Sequence, residues 1–188
     1  MSNKKRFFEY ITADVEARGQ TLSLYYFFTD SITRFHWYLR ALEFMQGKAL
    51  FFPIYFILKF LFLRLSQRLS FSIPINTIGK GVYLPHYGTI VINSKARVGN
   101  YSVINVGVVI GRHPQSKLQV PEVGESVYIA PGVKMFGKVI IGSHCIIGAN
   151  SVVTKSMPIN QVVVGVPAVA VKTVTDEMIV NYGLKVKD

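Results

Sequence analysis

The stretch VGESVYIAPGVKMFGKVIIGSHCIIGANSVV, residues 123–153, repeats an apolar position every six residues. A second series of small or apolar residues stands two positions before each following member of the first. An α-helix would give a period near 3.6 and a lone strand a period of 2, so neither explains the pattern. The first series is Val123, Ile129, Met135, Ile141, Ile147 and Val153, and the second is Val127, Val133, Val139, Cys145 and Ser151.

The six-residue period predicts a parallel β-helix built from hexapeptides. Each hexapeptide forms one short strand and a turn, and three of them make a triangular coil. The first series points into the prism, while the second must be small enough for its corners. Coils stack about 4.8 Å apart, so each strand pairs with the strands above and below it. An earlier block keeps the same period in another phase, and together the blocks predict about five coils. That block contains Ile92, Val98, Ile104 and Ile110, with Ala96, Ser102 and Val108 in the second position.

The first 70 or so residues have helical periodicity instead. The segments EYITADVEARG, residues 9–19, and ITRFHWYLRALEFMQG, residues 32–47, carry apolar residues three and four positions apart. Asp30 or Ser31 is the predicted N-cap of the second helix. We predict a mainly β protein in three parts: a helical N-terminal region at residues 1–71, a β-helix domain at residues 72–172 and a C-terminal tail at residues 173–188.

The composition indicates a partner of negative charge. The chain has a net charge of +11 and one cysteine, which excludes an intrachain disulfide and CxxC motifs. Lipid headgroups, phosphorylated cofactors and nucleic acid are all anionic, but no nucleic-acid recognition motif is evident, so no nucleic-acid partner is predicted. Between Glu43 and Glu122 there is no acid but nine basic residues: Lys48, Lys59, Arg64, Arg68, Lys80, Lys95, Arg97, Arg112 and Lys117.

The most apolar stretch, ALFFPIYFILKFLFLRL at residues 49–65, does not read as a membrane span. It is shorter than the roughly 20 apolar residues that a spanning helix needs, and it contains Pro53, Lys59 and Arg64. A buried helix and a helix on an anionic membrane surface both stay open. Acids follow the basic N-terminus where a signal peptide needs an apolar core, so we predict a cytoplasmic protein, with peripheral contact to the inner face of the cell membrane left open.

Two interruptions of the six-residue period each contain a histidine. PHYGTIV, residues 85–91, adds two residues, and GRHPQSKLQVPE, residues 111–122, is longer than one hexapeptide. Loops that leave a rigid scaffold commonly carry function. His86 and His113 therefore indicate a functional site.

The segments IGKGVYLPHYGTIVIN and IIGANSVVTKSMPINQVVVGVPA, together with the His113 loop, resemble the hexapeptide-repeat acyltransferases. The similarity is to serine O-acetyltransferases and to O-acetyltransferases of capsular and exopolysaccharide synthesis. It implies a left-handed helix, acetyl-CoA as co-substrate, no metal, and a homotrimer with active sites between adjacent prisms.

The resemblance also implies roles for individual residues. His86 matches the general base, while Arg112 and His113 resemble an Arg-His pair that helps to hold the acceptor. We take His86 and His113 as the predicted catalytic residues and Arg112 as the predicted substrate-binding residue. The positions that match CoA-binding residues are Ala149, Thr154, Lys155, Gly165, Pro167, Ala168 and Lys172.

Two departures from the serine enzymes bear on the acceptor. Pro85 stands where those enzymes have Asp, and SFSIP, residues 70–74, lacks the acid that orients their histidine. Our main interpretation is therefore transfer to a sugar hydroxyl of a capsular or extracellular polysaccharide or its precursor. Serine O-acetylation for cysteine synthesis is the alternative, and a non-enzymatic scaffold is the second. An acid that orients His86 would have to come from the N-terminal half, from Asp14, Asp30 or Glu43, unless a backbone carbonyl serves.

Two other chemistries are less well supported. Cys145 falls in the inward second series, which predicts a packed thiol and direct transfer without an acyl-enzyme. The γ-type carbonic anhydrases resemble this chain in coil pattern, but they need three histidines, two of them close in sequence. His86, His113 and His144 are widely spaced, so no metal site is predicted.

Overall fold

The structure, a computed structural model, describes residues 3–48, 51–116 and 119–184. Ala49 and Leu50 of the apolar stretch, Lys117 of the basic series and the last four residues of the tail lie outside these ranges. Within them the N-terminal half is helical, as predicted, and the Asp30 side chain caps the third helix by accepting from the backbone N–H groups of Ile32 and Thr33 at 2.8 and 3.1 Å. The helices are α1 (Asn3–Glu16), α2 (Leu24–Thr29), α3 (Ser31–Met45) and α4 (Phe52–Leu69).

The strands form the three faces of a prism, and every strand except the last pairs with strands one coil away. On the first face lie, in order, β1 (Phe71–Ser72), β2 (Ile90–Ile92), β5 (Val109–Gly111), β8 (Lys134–Phe136) and β11 (Val152–Val153). On the second lie β3 (Arg97–Val98), β6 (Glu122–Val123) and β9 (Ile140–Ile141). On the third lie β4 (Val103–Ile104), β7 (Tyr128–Ile129), β10 (Ile146–Ile147), β12 (Gln161–Gly165) and the antiparallel β13 (Ala168–Thr173), after which α5 (Asp176–Asn181) follows.

The chain is a left-handed parallel β-helix with a helical N-terminal region, which confirms the predicted fold. Single-residue bridges from Ile78, Tyr83 and Met157 complete the second and third faces, giving the five predicted coils. Every member of both hexapeptide series is buried, because the first fills the prism and the second its corners. The three-part division of the chain stays a prediction; in the structure α4 ends at Leu69 and β1 begins at Phe71.

A buried ionic cluster joins the helices to the first coil. Arg40 of α3 donates from Nε to Asp14 of α1 at 2.7 Å and from Nη1 to Glu43 at 2.8 Å. Its Nη2 donates to the carbonyl of Gly79 at 2.6 Å, while Asp14 accepts from the N–H of Gly81 at 2.7 Å. Burial alone would lower the pKa of Arg40, but the two carboxylates outweigh it and raise the pKa. The cluster therefore fixes α1 and α3 against the start of the β-helix.

Helix α4 buries only a narrow stripe. Phe62, Leu65 and Leu69 pack into the core, while most of its other large apolar side chains are exposed. In the described part of the chain, no helix has the length and the hydropathy needed to cross a membrane.

Candidate active site

His86 lies on the edge of the prism between the third face and the first, which we call the His86 edge. Further along this edge the turns stack by hydrogen bonds from Gly107 N to Thr89 O, from Gly132 N to Val106 O and from Asn150 N to Pro131 O, at 2.6, 2.9 and 2.9 Å. The His86 side chain is exposed at a cavity of about 570 Å³ between this edge and the helices. The cavity is lined by Arg18, Thr29, Asp30, Ser31, Ile32, Arg34, Leu65, Arg68, Leu69, Pro85, His86 and Tyr87.

Arg18 joins the N-terminal helices to the loop that carries His86. Its Nη1 donates to the carbonyl of Leu84 at 2.7 Å, two residues before the histidine. Its Nε and Nη2 donate to Asp30 Oδ2 at 3.1 and 2.7 Å. Because one guanidinium bonds both partners, Arg18 positions the His86 loop against the wall of the cavity formed by Asp30.

Asp30 brings a stable negative charge to the cavity. Burial alone would raise the pKa of its carboxyl, but hydrogen bonds from Arg18, Gln20 and the Thr33 backbone outweigh burial and lower the pKa. Asp30 therefore remains ionised at neutral pH. It is one of the three N-terminal acids considered from the sequence, and of those three it alone lines the His86 cavity.

Arg112 and His113 lie on a different edge, between the first face and the second, which we call the His113 edge. His113 Nδ1 accepts from the N–H of Gln115 at 3.2 Å, which leaves Nε2 as the donor of a neutral ring. Arg112 Nη1 donates to the carbonyl of Pro114 at 3.1 Å. His113 Cδ2 lies 3.6 Å from the ideal Cβ position of Gly137, which directly follows β8 on the first face.

The two predicted catalytic histidines are therefore not brought together within one chain. The first face separates their edges, and its three-residue strands alone span roughly 10 Å. The cavity at His86 contains neither Arg112 nor His113. One acceptor hydroxyl cannot contact both residues of the same chain.

The residues predicted to bind CoA divide between the same two edges. Ala149 follows β10 on the His86 edge, and Gly165 joins it there by donating from its N–H to Ser151 Oγ at 3.1 Å. Pro167 follows at the turn of the β12–β13 hairpin, where Ala168 is buried and pairs with Gly165. Thr154 and Lys155 follow β11 on the His113 edge and are exposed.

Lys172 is further from this group. It pairs with Val162 near the start of β12, four residues along β13 from Ala168, or roughly 14 Å. Its predicted contact with a CoA phosphate would thus lie toward the third edge of the prism, which is the edge between the second face and the third.

Cys145 is buried, and its Sγ lies 3.1 Å from the carbonyl oxygen of Pro158, to which it donates. Burial raises the pKa of this thiol above its ordinary value, which disfavours the thiolate. Both observations agree with the predicted packed thiol. Among the residues described, no three or more His, Cys, Asp or Glu side chains are grouped so that they could hold a metal ion.

Sequence reasoning did not identify the basic lining of the cavity. Arg18 lies in the turn after α1, Arg34 in α3 and Arg68 in α4, and no motif marks them. Asp30 was identified as a possible N-cap and as one of three acids that could orient His86, but the sequence did not single it out among those acids. These residues meet at His86 because the helices fold back over the first coil, which no local pattern encodes.

Comparison with known proteins shows which class of protein has this fold and these repeats. The family described as bacterial transferase hexapeptide (six repeats) matches residues 121–155. The serine acetyltransferase of Brucella abortus strain S19 has the same fold, with a TM-score of 0.72 and 24% identity over 91% of this chain and 71% of that one. The serine acetyltransferase of Vibrio cholerae superposes with a TM-score of 0.75 at 22% identity, over 93% of this chain and 69% of that one. The resemblance to hexapeptide-repeat acyltransferases is thereby confirmed.

Within that class, the matching curated relatives are serine acetyltransferases. That of Staphylococcus xylosus is 36% identical over 96 residues, 50% of this chain and 44% of its own length. That of Staphylococcus aureus (strain N315) is 38% identical over 96 residues, 50% of this chain and 45% of its own. The chain thus spans less than half the length of these relatives.

The preference for a polysaccharide acceptor is wrong, because these relatives and structural neighbours carry the name of the alternative, serine acetyltransferase. The structure shows where the reasoning from Pro85 and the acid-free segment failed. No acid is near His86 in sequence, but one of the three N-terminal acids named above supplies a carboxylate to its cavity. Asp30 lines the His86 cavity although it is 56 residues away in the chain (86 minus 30).

Proposed function

We propose that this chain transfers an acetyl group from acetyl-CoA to the hydroxyl of L-serine, with His86 as the general base. The observation that carries the proposal is the His86 cavity, which has charges of both signs around an exposed imidazole. Asp30 is ionised and paired with Arg18, whereas Arg34 and Arg68 form no ion pair with a carboxylate in the described ranges. A free amino acid carries an ammonium and a carboxylate, so it needs a site of mixed charge.

Relatives support the same acceptor. Two neighbours in fold were solved as complexes: a Neisseria gonorrhoeae serine acetyltransferase with serine, and a serine acetyltransferase with CoA. Their likeness to this chain is at 24 and 22% identity, with TM-scores of 0.68 and 0.65. The cavity chemistry and the names of the curated relatives together favour serine over a sugar.

The proposed reaction is a direct transfer. His86 accepts the proton of the serine hydroxyl while the hydroxyl oxygen attacks the thioester carbonyl. The new C–O bond forms, the C–S bond breaks, and the proton passes from the imidazole to the departing CoA thiolate. A general base of this kind contributes about 10²–10⁴-fold to the rate. Holding both substrates in one groove lowers the barrier further, because the encounter becomes effectively unimolecular.

The separation of the two edges supports a homotrimer. His86, Ala149 and Gly165 lie on one edge, whereas His113 and Lys155 lie on another. A site that uses both sets requires the His86 edge of one chain to face the His113 edge of the next. Three prisms around a threefold axis form three such junctions. We propose a cytoplasmic homotrimer in which each junction holds one acceptor and one acetyl-CoA.

Release of free CoA thiol from acetyl-CoA tests the reaction. We expect release with L-serine by the wild-type chain and a loss of at least about 100-fold in His86→Asn. His144→Asn is the matched control, because it removes an imidazole from a turn on the third edge. Absence of release by the wild type, or unchanged release by His86→Asn, would reject the proposal.

Mixing two inactive variants tests the junction. His86→Asn and His113→Asn chains, unfolded together and refolded, form trimers in which some junctions have His86 from one chain and His113 from the other. We expect those junctions to restore activity that neither variant has alone. If co-refolded trimers stay inactive while each variant folds normally, the two histidines do not meet across a junction.

A further inference from the structure

Helix α4 presents an apolar face that no other described residue covers. Ile57 is 64% exposed and Phe60 61% exposed, although both are large apolar side chains. An exposed apolar surface of this size on one helix marks an interaction site. The exposed members of the face are Phe52, Ile54, Phe56, Ile57, Phe60, Leu61 and Leu63.

Basic side chains accompany this apolar face without any acid. Helix α4 contains no Asp or Glu, and Lys59 and Arg64 are exposed and form no ion pair with a carboxylate in the part of the chain that the structure describes. Lys59 Nζ lies 5.9 Å from the ring centroid of Tyr55, and Arg64 Cζ lies 5.9 Å from that of Phe60. The charges thus lie beside the apolar face itself.

A cleft of about 350 Å³ joins this surface to α3. Three arginines line it, Arg34, Arg64 and Arg68, together with apolar and aromatic side chains and no acid. Three cations around one cleft repel each other unless an anion lies between them. The remaining lining residues are Tyr38, Phe60, Leu61 and Leu65.

We propose that α4 is a membrane-surface helix that docks the protein on an anionic lipid bilayer. Its apolar side chains enter the boundary between headgroups and acyl chains, while Lys59 and Arg64 contact lipid phosphates. Charge complementarity selects this occupant over a second copy of the chain. Two copies of α4 face to face would bring like charges together, whereas anionic headgroups neutralise them.

The docked surface adjoins the proposed active site. Arg34, Leu65 and Arg68 line both the three-arginine cleft and the His86 cavity. Docking through α4 therefore places the opening at His86 next to the bilayer. The inference goes beyond the acetyl transfer proposed above, and neither depends on the other.

Vesicle co-sedimentation with a pair of charge-matched variants tests the proposal. Lys59→Gln/Arg64→Gln removes two charges from α4, and Lys95→Gln/Arg97→Gln removes one lysine and one arginine from exposed positions of the β-helix. Each basic residue at an anionic surface contributes about five- to sixfold to binding, so the α4 pair should weaken binding roughly thirtyfold. The vesicles contain phosphatidylcholine with or without phosphatidylglycerol.

We expect the wild type to bind vesicles that contain phosphatidylglycerol and not those of phosphatidylcholine alone. The β-helix pair should bind like the wild type, and Phe56→Ser/Ile57→Ser should bind weakly despite its unchanged charge. Equal losses in both charge pairs would show an effect of net charge alone and overturn the proposal. The proposal would also fail if no variant changed binding to vesicles. It would fail as well if the wild type did not bind vesicles and light scattering showed that the α4 variants break a larger oligomer. Serine acetylation measured without vesicles reports separately on the proposed function.

Discussion

Replacing Arg18 with methionine should damage the site more than the fold. The change removes the hydrogen bonds of 2.7 Å to the Leu84 carbonyl and of 3.1 and 2.7 Å to Asp30. A hydrogen bond to a charged group contributes about 1.5–3 kcal/mol when buried. The side chains of Arg18 and Asp30 are 12 and 19% exposed, so solvent screening reduces that contribution. We expect the free energy of unfolding to fall by about 2–3 kcal/mol, a loss that most domains survive.

The larger effect should be on catalysis. Without Arg18 the His86 loop loses its bond to the helices, and a displacement of about 1 Å can cost about 10²-fold in rate. We therefore expect kcat/KM for L-serine to fall about 10- to 100-fold in thiol-release assays on protein whose folding is checked by urea titration. Arg97→Met, at an exposed position of the β-helix, is the control. A normal kcat/KM in a destabilised Arg18→Met protein would refute the positioning role and leave Arg18 purely structural.

Three other changes probe the interior. Asp14→Asn leaves Arg40 buried with one carboxylate partner fewer, so urea titration should show a loss of about 3 kcal/mol; a loss below about 1 kcal/mol would contradict the buried ion pair. Burial lowers the pKa of His36 to about 4, whereas its pKa in the unfolded chain is about 6.5. The stability that depends on neutral His36 is therefore fully present above pH 6.5, and about 3 kcal/mol of it is lost as the pH falls toward 4. His36→Leu should flatten that pH dependence, and an unchanged profile would assign it to other groups. Gly99→Ala would place Cβ 2.4 Å from the Gly124 carbonyl of the next coil, which should cost about 2 kcal/mol; an unchanged Tm in calorimetry would contradict this coil spacing.

The β-helix was predictable because its information is local and repeated. One inward apolar residue per six, from Ile92 to Val153, specifies strand, turn and coil together, and each such residue is buried as predicted. The capping carboxylate of Asp30 was equally local. The structure also agrees with the assignment of Cys145 to a packed corner.

The site was less predictable because it is assembled from distant segments. Arg18, Asp30 and Arg68 reach His86 only after the helices fold back across the first coil. The absence of acids between Glu43 and Glu122 led to the wrong choice of acceptor. A carboxylate from the N-terminal half, that of Asp30, lines the His86 cavity in the folded chain. The two predicted catalytic histidines lie on different edges of the prism. The six-residue period implies this separation once the loop that carries each histidine is assigned to a turn.

The loop that carries His113 leaves the ladder without disturbing it. Val109 of β5 pairs with Lys134 of β8, and Arg97 of β3 pairs with Glu122 of β6, so the coils on either side keep their register across the excursion. The β-helix therefore tolerates a change in the length of this loop. One residue added within a hexapeptide would instead shift every later side chain out of its inward or outward position. A different loop could therefore replace this one and change the chemistry at the His113 edge, while the stacked turns of the His86 edge stay in place.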